Sequence, residues 1–266
     1  MLHAIIDIGS NTIRMAVYQI EGRAFTLLLK RKHTVGLAGY LDHGRLVREG
    51  IEKTVKILRG FMEFIETFGI AHVHAFATAA LRSATNSRAA VEEITRRTGV
   101  AVRIISGEEE AAYDFIGATQ NIAHADGVMM DIGGGSTEII HYVDHEMRGR
   151  WSLPLGSLAI AKAHVGGLLP TAEECRAIRA AAESVLDGVP DVRQLRTRHM
   201  VGMGGVLSSA SRMHGLLYPD ETPRLLRVSN LPAMAEMFGS GASLSEERTA
   251  VLLRSAPDRL HTIIPG

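Results

Sequence analysis

The sequence predicts an α/β protein of two domains with mixed sheets, and three observations carry that prediction. An apolar strand, an aspartate and a glycine-bearing polar turn occur twice, at Ala4–Thr12 and at Val128–Thr137. In each copy the turn leads into two further strand-like runs, so each opens a three-stranded meander. Beyond each meander, helical periods alternate with strand runs, the order expected of α/β sheets. A length of 266 residues also suits two cores, because single cores tend to split beyond ~250 residues.

The first meander is read from residues 4–6, 13–18 and 25–30. Arg48–Phe68 is a helix, with Ile51, Val55, Leu58, Met62 and Ile65 at helical spacing. Val73–Ala77 follows as a buried strand, Arg88–Thr98 as a short helix stopped by Gly99, and Val100–Ile105 as another strand. The domain boundary is placed within 117–127, giving domains 1–121 and 122–266. The second meander takes residues 128–130, 138–143 and 147–153. Thr171–Leu186 is a helix in which Thr171 and Glu174 have the spacing of a capping box. Met200–Val201 is a short strand running into a glycine turn, and Ser245–Leu253 is a late helix.

Composition narrows the partners. The 29 basic and 29 acidic residues cancel, so the global basic footprint of a nucleic-acid binder is absent and any polyanion must be met by local groups. A single cysteine, Cys175, excludes a disulfide within the chain and a site of several thiolates, which fits a reducing compartment. The start, Met1–Asp7, has neither the basic residues nor the apolar run of a signal peptide, and no run reaches the ~20 apolar residues that span a bilayer. The expectation is a soluble cytoplasmic protein with no membrane and no nucleic-acid partner.

The chemistry gathers at four segments. A phosphate needs several converging donors, and glycines let backbone N–H groups approach it closely. Gly9, Ser10, Asn11 and Thr12 meet this need in the first turn, and Gly133, Gly134, Gly135, Ser136 and Thr137 in the second. The bland alternative is a pair of tight hairpins, less attractive for two copies than for one. Asp131 ends its strand where a cation could be bound, and magnesium favours a few carboxylates with phosphate oxygens and retained water. At Ser106–Ala111, Ser106 and Glu109 form a capping box, so Glu108 and Glu109 are read as helix-terminal charges. Glu110 lies past the box, where a carboxylate could take a proton from an attacking water. Arg82, in the loop after a buried strand, has a fork that suits a phosphate. Gly202–Gly205 reads equally as a ligand turn or as the start of a helix.

Together these segments resemble the exopolyphosphatase and guanosine pentaphosphate phosphohydrolase family (Ppx/GppA), across Ile5–Ile264. The glycine turns belong to the wider actin and sugar-kinase superfamily; the Ser106–Ala111 segment is narrower, and Pro154–Ser157 is similar to a further family segment. The resemblance implies two actin-like (ribonuclease H-like) domains with a cleft between them. It implies Glu110 as catalytic base, Asp131 and Glu138 as metal-associated carboxylates, both turns as phosphate loops and Arg82 as a phosphate contact. The activity implied is release of the terminal phosphate from polyphosphate or guanosine pentaphosphate with Mg2+ or another hard divalent cation, in a homodimer.

The chain departs from the family pattern at three places. Gly36 stands where the family often has arginine, Val206 stands where it usually has threonine, and the chain stops at Gly266 where many relatives continue into a closing element. The two substitutions keep a second reading open, a non-catalytic nucleotide or polyphosphate sensor. The shared glycine turns keep a third, an ATPase or small-molecule kinase. Elsewhere, His72 and His74 alternate onto one strand face, where ordinary strand histidines outweigh a metal site. Lys30–His33 is read as a solvated strand edge and Cys175 as packing.

Overall fold

A computed structural model describes residues 1–119, 122–222, 224–239 and 244–266. The chain forms two compact units, Met1–Glu110 and Ala111–Gly266. The boundary placed at 121/122 falls beside residues 120 and 121, which lie outside the described residues.

The first unit opens with the expected meander, β1 (Leu2–Ile8), β2 (Thr12–Glu21) and β3 (Ala24–Thr34), paired antiparallel. A single 3-10 turn at Leu37–Tyr40 leads to a small hairpin, β4 (Leu41–Asp42) with β5 (Arg45–Leu46). Then come α1 (Arg48–Thr67), β6 (His72–Ala77), α2 (Ala79–Ser83), α3 (Ser87–Thr98) and β7 (Val102–Ile104). β6 lies parallel to β1, and β7 parallel to β6, so the sheet runs β3-β2-β1-β6-β7 and is mixed. Period-two alternation buries Ala4, Ile6 and Ile8 on β1 with Ile13, Met15 and Val17 on β2. α1 buries Ile51, Val55, Leu58, Phe61 and Ile65 on one stripe; each such side chain contributes roughly 1.5–3 kcal/mol of burial. Gly99 ends α3 at φ +72°, as its position past the last helical turn predicts. The basic run lies on β3 at the edge of the sheet, with the Arg31 guanidinium 4.2 Å from the Phe64 ring centre.

Helix α4 (Gly107–Ala118) starts in the first unit and ends in the second, where Ala111 and Phe115 pack with Met129, Ile140 and Tyr142. The second meander is β8 (Gly127–Ile132), β9 (Thr137–Val143) and β10 (Glu146–Leu153). After it come α5 (Ser157–His164), α6 (Ala172–Asp187), α7 (Pro190–Gln194), β11 (Met200–Met203), α8 (Gly204–Leu217), α9 (Leu231–Phe238), α10 (Glu246–Ser255) and α11 (Leu260–Ile263). β11 lies parallel to β8, giving the order β10-β9-β8-β11. The capping box at α6 is present in both halves: Glu174 N donates to Thr171 Oγ1 and Thr171 N to Glu174 Oε2. Cys175 on α6 is half-buried with its Sγ 3.6 Å from the Gly239 carbonyl, and burial raises its thiol above the usual range, a packing role. Among the described residues no helix is long and apolar enough to cross a membrane.

Candidate active site

In the first unit the turn after β1 is closed by Gly9 N donating to the Thr12 carbonyl at 3.0 Å. A Cβ on Gly9 would also lie 3.0 Å from that oxygen, so the close turn needs glycine. Residues 35–38 brace the turn from outside. Val35 N and Gly36 N both donate to the Asn11 carbonyl at 2.9 Å, and Ala38 N to the Ser10 carbonyl at 2.9 Å. Ser10 is buried, and its hydroxyl has no hydrogen-bond partner among the described residues. Thr12 accepts from Arg14 Nε at 3.0 Å, and Arg14 also lies 4.0 Å from Asp7, its cross-strand partner.

Arg82 is the penultimate residue of the short helix α2, and Thr78, just before that helix, donates its N–H to the Ile8 carbonyl at 3.2 Å. Its Nη1 donates to Glu110 Oε2 at 2.8 Å and to the Ile105 carbonyl at 3.1 Å. The neighbouring acid has a different job. Glu109 accepts from Ser106 N at 2.8 Å, while Ser106 Oγ accepts from Glu109 N at 3.0 Å. Those backbone bonds, with Arg103 at 2.8 Å, hold the Glu109 carboxyl below its ordinary range. Glu109 therefore serves the helix end, and Glu110, about one-fifth exposed, is the carboxylate of this pair outside the cap.

In the second unit the turn 133–136 repeats the plan, with Gly133 N donating to the Ser136 carbonyl at 2.9 Å. The first turn of α5 takes up the loop's carbonyls. Ser157 N and Oγ both donate to the Gly133 oxygen, and Leu158 N and Ala159 N to the Gly134 oxygen, at 2.9–3.1 Å. A Cβ on Gly156 would sit 2.3 Å from the Gly135 backbone, so 154–157 lies directly against the loop. Ser136 is buried, as Ser10 is. Thr137 is buried too, but its hydroxyl donates to the Leu155 carbonyl, which gives it a structural task in addition to any contact with a ligand.

Asp131 and Glu138 are direct cross-strand partners, the places taken by Asp7 and Arg14 in the first unit. Glu138 is 2% exposed and accepts from Ser152 Oγ at 2.7 Å. A buried carboxylate beside a second carboxylate and a glycine turn fits a hard cation with oxygen ligands. Among the described residues there is no group of three or more His, Cys, Asp or Glu able to hold a metal ion.

The turn 202–205 opens helix α8. Gly204 has φ +74°, and a Cβ there would come within 1.9 Å of Asp131 Oδ1. A Cβ on Gly205 would lie 2.4 Å from the Arg259 guanidinium. The turn begins a helix, one of its two sequence readings, and it is pressed against Asp131.

The Ppx/GppA phosphatase family matches residues 16–266. The chain belongs to this family. Its Ppx/GppA relatives include the guanosine-5'-triphosphate,3'-diphosphate pyrophosphatase of Aeromonas hydrophila, 32% identical over the whole chain and 53% of that protein. Another is exopolyphosphatase 1 of Mycobacterium tuberculosis, 26% identical over 98% of the chain and 78% of the relative. The chain thus spans about half the length of the curated relatives at 32% identity. A solved Ppx/GppA structure from Aquifex aeolicus has a TM-score of 0.75 at 26% identity, covering 100% of this chain and 87% of that one. An exopolyphosphatase structure from Cytophaga hutchinsonii shares the fold with a TM-score of 0.83 at 22% identity, with the same coverage.

The departures from the Ppx/GppA pattern have local causes. Gly36 adopts φ 64° and ψ 46°, a left-handed conformation that favours glycine. Val206 is 3% exposed in a core with Met213, Phe238 and Leu252, where a hydroxyl would need a partner. Sequence reasoning missed Arg14 and Arg259 as neighbours of the two turns. Arg14 was legible from strand register opposite Asp7; Arg259 had no local signal, because it comes from the far end of the chain. His72 and His74 are joined by His3 across β1, with His3 ring centres 4.5 Å and 5.6 Å from theirs.

Proposed function

We propose that the chain is a phosphohydrolase that releases the terminal phosphate from inorganic polyphosphate or guanosine pentaphosphate. The observation that carries this reading is the state of Glu110: freed from the helix cap by Glu109, it is oriented by Arg82 and still meets solvent. The names of the relatives, a guanosine polyphosphate pyrophosphatase and an exopolyphosphatase, support the substrate class.

In this mechanism the turns at 9–12 and 133–137 bind phosphoryl oxygens through backbone N–H groups, Ser10 and Ser136. Asp131 and Glu138 would hold a Mg2+ ion, which supplies charge neutralisation for the phosphoryl group. Glu110 accepts a proton from water as the water oxygen bonds to the terminal phosphorus. The bond from that phosphorus to the bridging oxygen breaks, and the shortened chain leaves as the anion. Positioning and electrostatics carry such a reaction, and no phosphoenzyme is needed. Arg82 orients Glu110, to which it donates at 2.8 Å, and its guanidinium is a phosphate contact.

We further place the protein in the cytoplasm as a homodimer, on the single half-buried cysteine and the family resemblance respectively. The deciding experiment is phosphate release, with and without Mg2+, from polyphosphate, guanosine pentaphosphate and ATP, beside Glu110→Gln. Release from either of the first two that vanishes in the variant supports the reading. Tight binding without release from any of them makes the protein a sensor, and phosphate transfer from ATP to an acceptor makes it a kinase.

A further inference from the structure

A cavity of about 250 Å³ opens at the end of the second-unit sheet opposite the glycine turn. Arg196, Thr197, Arg198 and His199 reach it from the segment leading into β11, His141 from β9, and Asp126 from just ahead of β8. The register fixes this location. Val128 N donates to the His199 carbonyl at 3.2 Å, and His141 pairs with Val128. The turn 133–136 leaves the other end of β8, five residue steps or about 17 Å away at ~3.3 Å per residue.

The lining is cationic. Arg196 uses Nη1 on the carbonyls of Arg193 and Leu195, at 2.8 and 2.9 Å, which fixes its fork and leaves other N–H groups to donate. Arg198 has no hydrogen bond or ion pair among the described residues. Asp126 is the one acid in the lining, and it accepts from Asp144 N at 2.9 Å. The site is also held in shape. Thr197 Oγ1 donates to the His199 carbonyl and accepts from His199 N, and the His199 ring stacks on His124 with centres 3.6 Å apart. Behind it, a Cβ on Gly127 would strike the Tyr142 hydroxyl at 2.6 Å, so the strand end is close-packed.

We propose that this cavity is a second anion site, separate from the glycine turns, that takes an oxyanion of phosphate or pyrophosphate size. Two arginine forks and two imidazoles match tetrahedral oxyanion chemistry. A volume of about 250 Å³ accommodates an oxyanion of that size. The inference does not depend on hydrolysis by this chain.

The test follows the ring signals of His141 and His199 by NMR at constant pH and ionic strength, during titration with inorganic phosphate and then pyrophosphate. Both signals are expected to move saturably with one affinity. The Arg196→Ala/Arg198→Ala double variant should bind roughly tenfold more weakly or worse, from the loss of charge-assisted hydrogen bonds. Arg198→Lys should recover part of the affinity, and an unchanged melting temperature shows that the exposed substitutions left the fold intact. Shifts that stay linear in added anion, or equal affinity in wild type and double variant, overturn the site whatever the hydrolytic rate is.

Discussion

Arg82 donates from one nitrogen to both the Glu110 carboxylate and the Ile105 carbonyl, which ties the end of α2 to the first turn of α4. The arginine therefore orients the candidate base through two fixed points. We predict that Glu110→Gln keeps substrate affinity and lowers kcat by roughly 10²–10⁴-fold, the span of a general base. Arg82→Ala should lower kcat and raise KM together, because it frees Glu110 and removes phosphate donors. Calorimetric binding and phosphate release on the same preparations check both; full turnover by Glu110→Gln rejects this glutamate as the base.

Gly204 is constrained twice, by φ +74° and by the Asp131 carboxylate. Alanine there must relieve a 1.9 Å contact by moving either the turn or Asp131. Mutations of this kind, at incompatible backbone positions, cost about 1–3 kcal/mol. We predict a lower urea midpoint for Gly204→Ala and, where the contact is relieved by moving Asp131, a higher Mg2+ concentration for half-maximal activity. A normal Mg2+ dependence in a destabilised variant would show that the turn has moved or that Asp131 does not hold the cation, and Asp131→Asn with an unchanged Mg2+ dependence would reject Asp131.

Both meanders and α1, α3, α6 and α10 were legible because each is set by local pattern: strand alternation, helical period, a capping box or a terminal glycine. The split between Glu109 and Glu110 was legible for the same reason, since Ser106 and Glu109 are three residues apart. The short helices α2, α5, α7 and α11 were not, having too few turns to show a period. What the sequence could not give was long-range contact. The bond from the Thr137 hydroxyl to the Leu155 carbonyl has no local sign in the sequence. Val206 reads as a lost hydroxyl until its core neighbours are seen, and Arg259 is silent until it is placed beside Gly205.

His3 is held below the ordinary histidine range, first by desolvation, then by His72, His74 and the amino terminus. Its Nδ1 lies 3.3 Å from His74 Nε2. In the unfolded chain His3 regains a value near ~6.5, so across the interval between the two values the unfolded state binds more protons. Its contribution is therefore complete above about pH 6.5 and is lost as pH falls through the lower folded value. We predict that the urea midpoint drops on acidification from about pH 7.5 to 5.5, and that His3→Gln flattens part of that slope. An identical slope in the variant would assign the acid sensitivity to other groups.

Gly36 braces the first turn through Asn11 from a left-handed backbone, which disfavours the arginine that the family resemblance leads one to expect there. Putting that arginine back sets two effects against each other. The left-handed conformation costs an L-residue about 1–2 kcal/mol, so Gly36→Arg should lower the urea midpoint with an unchanged m-value. A guanidinium beside the turn at 9–12 should also attract the phosphate chain, an effect that weakens with salt. We predict a lower KM for polyphosphate at low ionic strength, with kcat nearly unchanged because the added charge helps substrate and transition state alike. Lower stability with an unchanged KM would mean that position 36 only braces the turn, and that the chain meets its substrate without a charge there.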